Sequence, residues 1–109
     1  MAMDLRNSPE DLSQRMLNVV EPGMGAIHRH LALSETVIII RGRIRWLFYD
    51  EQGRITELWS DGEVRMLNVE KGRWHSLECL ESGSVLFEAK DGPYRPLSPE
   101  DIMEVKSQK

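Results

Sequence analysis

The 109 residues suffice for one domain around one core and leave little room for two. Hydrophobic residues make up 40% and charged residues 29%, the balance of an ordinary soluble globular chain, and the net charge of -4 argues against nucleic acid as a general partner. The lone Cys79 cannot form an internal disulfide, Met1 to Glu10 lacks the apolar stretch of a signal peptide, and the apolar run Val37 to Ile40 is far too short to cross a bilayer. The expectation is a cytoplasmic protein without a membrane partner.

In chain order, Asn7 to Val20 is open between two readings. Ser8 with Pro9 and Asp11 reads as the start of a short capped helix, whereas the apolar spacing from Met16 onward fits a strand equally well. From Ala26 the pattern is β. Thr36 to Ile40 is β-branched throughout and reads as a strand buried on both faces. Arg41-Gly42-Arg43 is a turn, and Ile44 to Tyr49 the next strand, with Ile44, Trp46 and Phe48 on one face. Asp50 to Gly53 makes a hairpin loop and Arg54 to Trp59 the return strand. After a turn at Ser60-Asp61-Gly62 come a strand marked by Val64, Met66 and Val69, a turn at Lys71-Gly72, and a strand from Trp74 to Leu80. Glu81-Ser82-Gly83 turns into the last clear strand, Ser84 to Lys90, which Asp91-Gly92-Pro93 ends. Short strands with a turn every eight to twelve residues predict a sandwich or closed barrel. Ser98 to Val105 reads as a short capped helix or a loose end.

The chain has three histidines. His28 and His30 are two apart in a β-prone segment, so alternation sets both on one strand face, roughly 7 Å apart along it. Two imidazoles so placed can converge on one ion, although such a pair alone is more often ordinary surface or core histidine. Glu35 heads the Val37 to Ile40 strand, from which the chain can fold it toward the pair. His75 follows the Lys71-Gly72 turn, and a barrel can bring it opposite the others. No histidine is left over for a Ser/His/Asp or Cys/His nucleophile set, and Gly23-Met24-Gly25 has the wrong context for a phosphate loop.

The run from His28 through His30 and Glu35 to Gly42, followed after a hairpin by Gly72-x-x-His75, resembles the two motifs of the cupin superfamily. Within it the chain is similar to the WbuC-type cupin-fold metalloproteins, small bacterial proteins some of which are encoded among O-antigen polysaccharide genes. The segments that carry this are Ser8-Pro9-Glu10-Asp11, Gln14-Arg15, Glu21-Pro22-Gly23, His28-Arg29-His30 with Glu35-Thr36, Arg41-Gly42-Arg43, Gly72-Arg73-Trp74-His75 and Phe87 to Tyr94. Three positions depart from the general cupin pattern. Glu70 stands where Pro precedes the second motif's Gly, Cys79 where Asn often follows the histidine, and Gly23 is one residue closer to His28 than usual. The resemblance implies an all-β fold, a small single-domain cupin (double-stranded β-helix, or jelly-roll) barrel of six to eight strands over 1–109, its core about 14–94. It also implies one divalent metal near the mouth, with His28, His30, Glu35 and His75 as ligands; Glu35 either binds directly or holds a ligand in place. That donor set suits Mn, Fe, Co, Ni or Zn and fits Ca or Mg poorly.

Glu88 and Lys90 share a face of the last strand, directed either to the pocket or to solvent, and Tyr94 follows a Gly-Pro turn near the mouth; these three are the candidate substrate-binding residues. Arg41 and Arg43 read as solvated or paired charges more readily than as a grip on an anion. Cys79 reads as a small buried residue, and Trp46, Phe48 and Trp74 as core or barrel wall. The functional expectation is a metal-binding cupin that acts on, or binds, a small polar metabolite such as a sugar or sugar nucleotide. The alternatives are a non-catalytic small-molecule sensor on the same barrel and a purely structural ion. A homodimer is expected.

Overall fold

A computed structural model describes residues 1–59 and 65–103. The strands, in chain order, are β1 (Ala2–Asp4), β2 (Ser13–Val20), β3 (Gly23–Met24), β4 (Ile27–His28), β5 (Glu35–Arg41), β6 (Ile44–Tyr49), β7 (Ile55–Trp59), β8 (Met66–Val69), β9 (His75–Cys79), β10 (Ser84–Asp91) and β11 (Ile102–Met103), with one 3₁₀ turn at Pro99–Asp101. They form two antiparallel sheets. One has the order β1-β2-β10-β5-β8; the other has β11-β4-β9-β6-β7, with β3 also on β9. The order is largely non-sequential because the chain crosses repeatedly from one sheet to the other between β2 and β11, as a jelly roll requires.

The sheets face each other over one core. Val37, Ile39, Val69 and Leu86 from the first meet Ile44, Trp46, Phe48 and Cys79 from the second. Phe48 and Leu86 are wholly buried, and each such side chain contributes about 1.5–3 kcal/mol through removal from water. The expected face of Ile44, Trp46 and Phe48 is the core face. Cys79 is buried as expected, its thiol donating to the Glu81 carbonyl at 3.1 Å.

The strand predicted as buried on both faces is not. In β5 Val37 and Ile39 are buried while Ile40 is 57% exposed. A β-branched run reports strand geometry, not what covers each face. The ambiguous N-terminal segment resolves as the eight-residue strand β2. Ser8-Pro9 starts only a turn, in which the Asp11 N–H donates to the Ser8 carbonyl at 3.1 Å. Ser98 precedes the short 3₁₀ turn without capping its backbone, and its hydroxyl donates instead to the Asp101 carboxylate at 2.9 Å. The predicted turn at Ser60-Asp61-Gly62, with Val64, and the end of the tail at Val105 lie outside the described residues.

The turn at Gly42 shows why glycine is needed there. Its φ is +92°, and a Cβ would stand 2.7 Å from the Ser84 Cα. Backbone cannot yield to that approach, whereas Gly83, at φ +71°, faces open space. Gly83→Ala therefore carries only the left-handed conformational cost of about 1–2 kcal/mol. Gly42→Ala adds a steric clash and is expected to lower the unfolding free energy by about 3 kcal/mol or more. Urea denaturation of the two variants beside the parent checks this difference.

Candidate metal centre

The interior of each sheet reads as rows set by register. In the first sheet the row nearest the mouth is Gln14, Lys90, Glu35 and Val69, and the next is Met16, Glu88, Val37 and Leu67. In the second sheet the mouth row is His28, His75, Phe48 and Glu57. The two mouth rows confront each other, so residues far apart in sequence meet at one end of the sandwich.

His28 and His75 are direct cross-strand neighbours, with ring centroids 4.3 Å apart. His30 lies just beyond β4, its ring centroid 5.1 Å from that of His28. The second motif's glycine holds this segment. Gly72, at φ +75°, donates its N–H to the His30 carbonyl at 2.7 Å. The two motifs are thus joined by a backbone hydrogen bond as well as by their shared site. Glu35, 5% exposed, reaches across from the other sheet to His75 Nε2 at 3.1 Å.

The ring orientations are fixed from behind. His28 Nδ1 is 3.0 Å from the Ala26 carbonyl and His75 Nδ1 is 2.8 Å from the Arg73 carbonyl. Each Nδ1–H donates to its carbonyl, which leaves His28 Nε2 as a lone-pair nitrogen aimed into the site, while His75 Nε2 shares a proton with Glu35. His30 Nε2 is buried without a hydrogen-bond partner. A buried orphan nitrogen costs stability unless it finds a partner, and a metal ion is one. The ligand atoms of His28, His30, Glu35 and His75 all lie within 4.8 Å of one another. Donors around one ion at about 2.0–2.1 Å sit roughly 3–4 Å apart, so small side-chain adjustments complete the shell. The four residues form a cluster able to hold a metal ion.

The electrostatics suit that use. Burial lowers the His28 pKa, with the nearby His75 adding to the effect, and burial takes His30 down to about 4. Both imidazoles are therefore neutral at pH 7, the form that binds metals. Burial alone would raise the Glu35 pKa, but the hydrogen bond and charge of His75, with Lys90 and His30 beyond, hold it below the ordinary carboxylate value.

Glu88 and Lys90 share a face, and that face is the interior. Lys90 Nζ stands 3.8 Å from Glu35 and 3.7 Å from Glu88, while Asn18 Nδ2 donates to Glu88 at 2.9 Å. Burial, then the Glu35 charge, raises the Glu88 pKa. His28, His30, Lys90 and Tyr94 all line a cavity of about 460 Å³ above the cluster. Tyr94 is 54% exposed at its rim. Arg41 is at the far end of β5, about 20 Å along the strand from Glu35, and neither it nor Arg43 lines this cavity. Trp46, Phe48 and Trp74 are buried wall, as expected. Arg6, Gln14 and Arg95 also line the cavity and were not anticipated. Gln14 was visible only as part of a resemblance. Arg6 and Arg95 sit in segments without periodicity, which carry no local signal of their placement.

The fold is a cupin-type jelly roll. Bacillus subtilis oxalate decarboxylase, a protein with Mn(II) centres, superposes with a TM-score of 0.66 at 23% identity over 95% of this chain and 27% of that one. The capsular polysaccharide assembling protein CapF from Staphylococcus aureus superposes with a TM-score of 0.68 at 17% identity over 98% of this chain and 35% of that one. CapF with the inhibitor 3-isopropenyl-tropolone gives a TM-score of 0.70 at 20% identity over 97% of this chain and 31% of that one. The chain thus spans about a third or less of the length of these neighbours, and the likeness concerns the fold. No curated protein matches the sequence. The chain belongs to the family described as Domain of unknown function (DUF6016), whose model matches residues 1–60.

The buried histidines give the metal-free protein a defined pH response. Free imidazole titrates near 6.5 whereas folded His30 titrates near 4, so between these values the unfolded chain binds more protons than the folded one. Stability therefore falls as the pH is lowered across that window, and Glu35 adds its own loss only at lower pH. Urea midpoints at pH 7.5 and pH 5 should show a drop for the chelator-treated parent and a smaller drop for His30→Gln.

Proposed function

We propose that this chain is a metal-dependent cupin of the WbuC type, one domain over 1–109, that binds or acts on a small polar metabolite such as a sugar or sugar nucleotide. One divalent transition ion (Mn, Fe, Co, Ni or Zn) is held by His28, His30, Glu35 and His75. The observation that carries this reading is the convergence of those four donors within 4.8 Å, with His28 and His30 lining an open cavity. Such an ion, when bound, supplies Lewis-acid polarisation of a ligand oxygen or activation of a water. Glu88, Lys90 and Tyr94 then act as substrate-binding residues. Lys90 donates toward a ligand oxygen, Glu88 accepts from or donates to a hydroxyl, and Tyr94 covers the rim. The sugar class takes support from CapF, which assembles capsular polysaccharide and shares the fold.

The same reading takes the protein as cytoplasmic and as a homodimer. The buried Cys79 thiol fits a reducing compartment, and among the described residues no helix is long and apolar enough to cross a membrane. The dimer has a candidate surface in the outer face of the first sheet, where register aligns Met3, Leu17, Phe87, Ile38 and Met66 in one apolar row across five strands. Met3 and Met66 are 54% and 63% exposed. An uncharged row of this kind can meet its own two-fold copy without like-charge repulsion. Sedimentation should give a dimer for the parent and a monomer for Ile38→Lys.

Elemental analysis of untagged protein tests the metal site. About one equivalent of a transition metal is expected, lost in His28→Ala/His30→Ala and strongly reduced in His75→Ala while circular dichroism keeps its β signature. Full occupancy in the double variant would rule the site out.

A further inference from the structure

Between β10 and the 3₁₀ turn the chain crosses the mouth of the cavity as a strap without regular structure, residues 93–98. Both ends are tied to strands that carry the site. At the first end the Gly92 N–H donates to the Leu12 carbonyl at 2.7 Å, and Gln14 Nε2 donates to the Gly92 carbonyl at 2.8 Å. At the other end β11 pairs with β4, Ile102 standing opposite His28. Beside it the Arg29 N–H donates to the Asp101 carbonyl at 3.0 Å and Arg29 Nε to the Asp101 carboxylate at 3.2 Å. Pro93, Pro96 and Pro99 each fix φ, so the strap has little freedom for a segment outside any sheet. It carries Tyr94 and Arg95 to the cavity rim.

The cavity lining holds three fully cationic side chains, Arg6, Lys90 and Arg95, and no carboxylate. Two of them are engaged. Arg6 forks onto Asp4, its Nε 3.0 and 2.9 Å from the two carboxylate oxygens, and Lys90 stands between Glu35 and Glu88. Arg95 has no hydrogen-bond or ion-pair partner among the described residues, and it lines both this cavity and the adjoining one beside Arg29 and Asp101. Arg95 is solvent-exposed, and of the three cations lining the cavity it is the one without a counterion among the described residues. A divalent ion on the four ligands leaves the mouth with an excess of positive charge, since Glu35 and Glu88 together offset no more than that ion. A neutral ligand would leave that excess uncompensated, whereas an anion would meet it beside an exposed guanidinium at the rim.

The geometry points to Arg95 as the residue that receives a negatively charged group of the ligand, a carboxylate or a phosphate, at the mouth while the rest of the molecule reaches toward the cluster. This inference rests on the metal-site reading and adds the charge class of the ligand and the side chain that selects it. The structural role open to Arg95, a solvated surface charge, predicts no preference for anions.

Calorimetric titration of Co(II)-loaded protein separates the two. The probes are glycolate against its neutral counterpart glycolamide, for a carboxylate, and glycerol 3-phosphate against glycerol, for a phosphate. One anion is expected to bind about tenfold or more tightly than its neutral partner, and to weaken as salt is raised. Which anion does so identifies the group. Arg95→Ala should lower that affinity about tenfold, with Arg95→Lys retaining part of it, while cobalt content and the unfolding midpoint stay at parent values. Equal binding of charged and neutral probes, or unchanged anion affinity in Arg95→Ala, overturns the inference and leaves the metal site standing. Failure of the parent to take up cobalt overturns the metal-site reading and this inference with it.

Discussion

The contact on which the rest of the site depends is the hydrogen bond between Glu35 and His75 across the gap between the sheets. A carboxylate at 5% exposure is costly to bury, and an unpaired one would cost several kcal/mol. Here His75 Nε2 meets it at 3.1 Å and Lys90 approaches its other oxygen. Because His75 Nδ1 is tied to the Arg73 carbonyl, the ring cannot turn away, and the carboxylate is held to a fixed partner. His75 sits opposite His28 and beside Phe48 in the register, so fixing this one ring also fixes where the second sheet presents its mouth row. An ion placed among these donors replaces a proton between Glu35 and His75 without requiring either side chain to travel far.

The interior changes character in steps along the strands. At the closed end the rows are apolar, with Ile39 and Leu86 facing Ile44 and Cys79. At the mouth they are polar and charged. Alternation makes this possible, because each strand contributes residues two apart to the same interior face. In β10 the sequence Leu86, Glu88, Lys90 runs from core to cavity in three steps, and in β5 Ile39, Val37, Glu35 does the same. The apolar end supplies most of the stabilisation. The buried polar groups there are tolerated because each has a partner: Glu35 has His75 and Lys90, Glu88 has Lys90 and the Asn18 amide, and Arg73 has Glu57.

Much of this was legible in the sequence because it rests on local rules. The turns at Gly42, Gly53, Gly72 and Gly83 were marked by glycines that all adopt positive φ. The alternation in Ile44 to Phe48 named the core face correctly. The spacing of His28, His30, Glu35 and Gly72-x-x-His75 picked out the four donors that converge, and the shared face of Glu88 and Lys90 was correct while its direction was not decidable. What escaped depends on tertiary placement. Nothing local tells whether Ile38 and Ile40 meet another layer or water. Nothing in the composition around Arg95 says that the strap is drawn over the mouth, because that follows from where β11 pairs. The helix considered at Ser98 shrank to one 3₁₀ turn since the chain returns at once to a strand.

The pairing of β11 with β4 also has a consequence for the order in which the site is assembled. His28 stands on a strand of two residues, supported on one side by β9 and on the other by Ile102 and Met103. During synthesis on a ribosome His28, His30 and Glu35 emerge before His75, and the segment that braces His28 emerges after all four donors. Until then the first imidazole has a neighbour on only one flank, and the strap that narrows the mouth has no second anchor. A metal ion would therefore be gathered at full affinity only once β11 has paired with β4, so a chain lacking that segment holds its donors without the brace that gathers them.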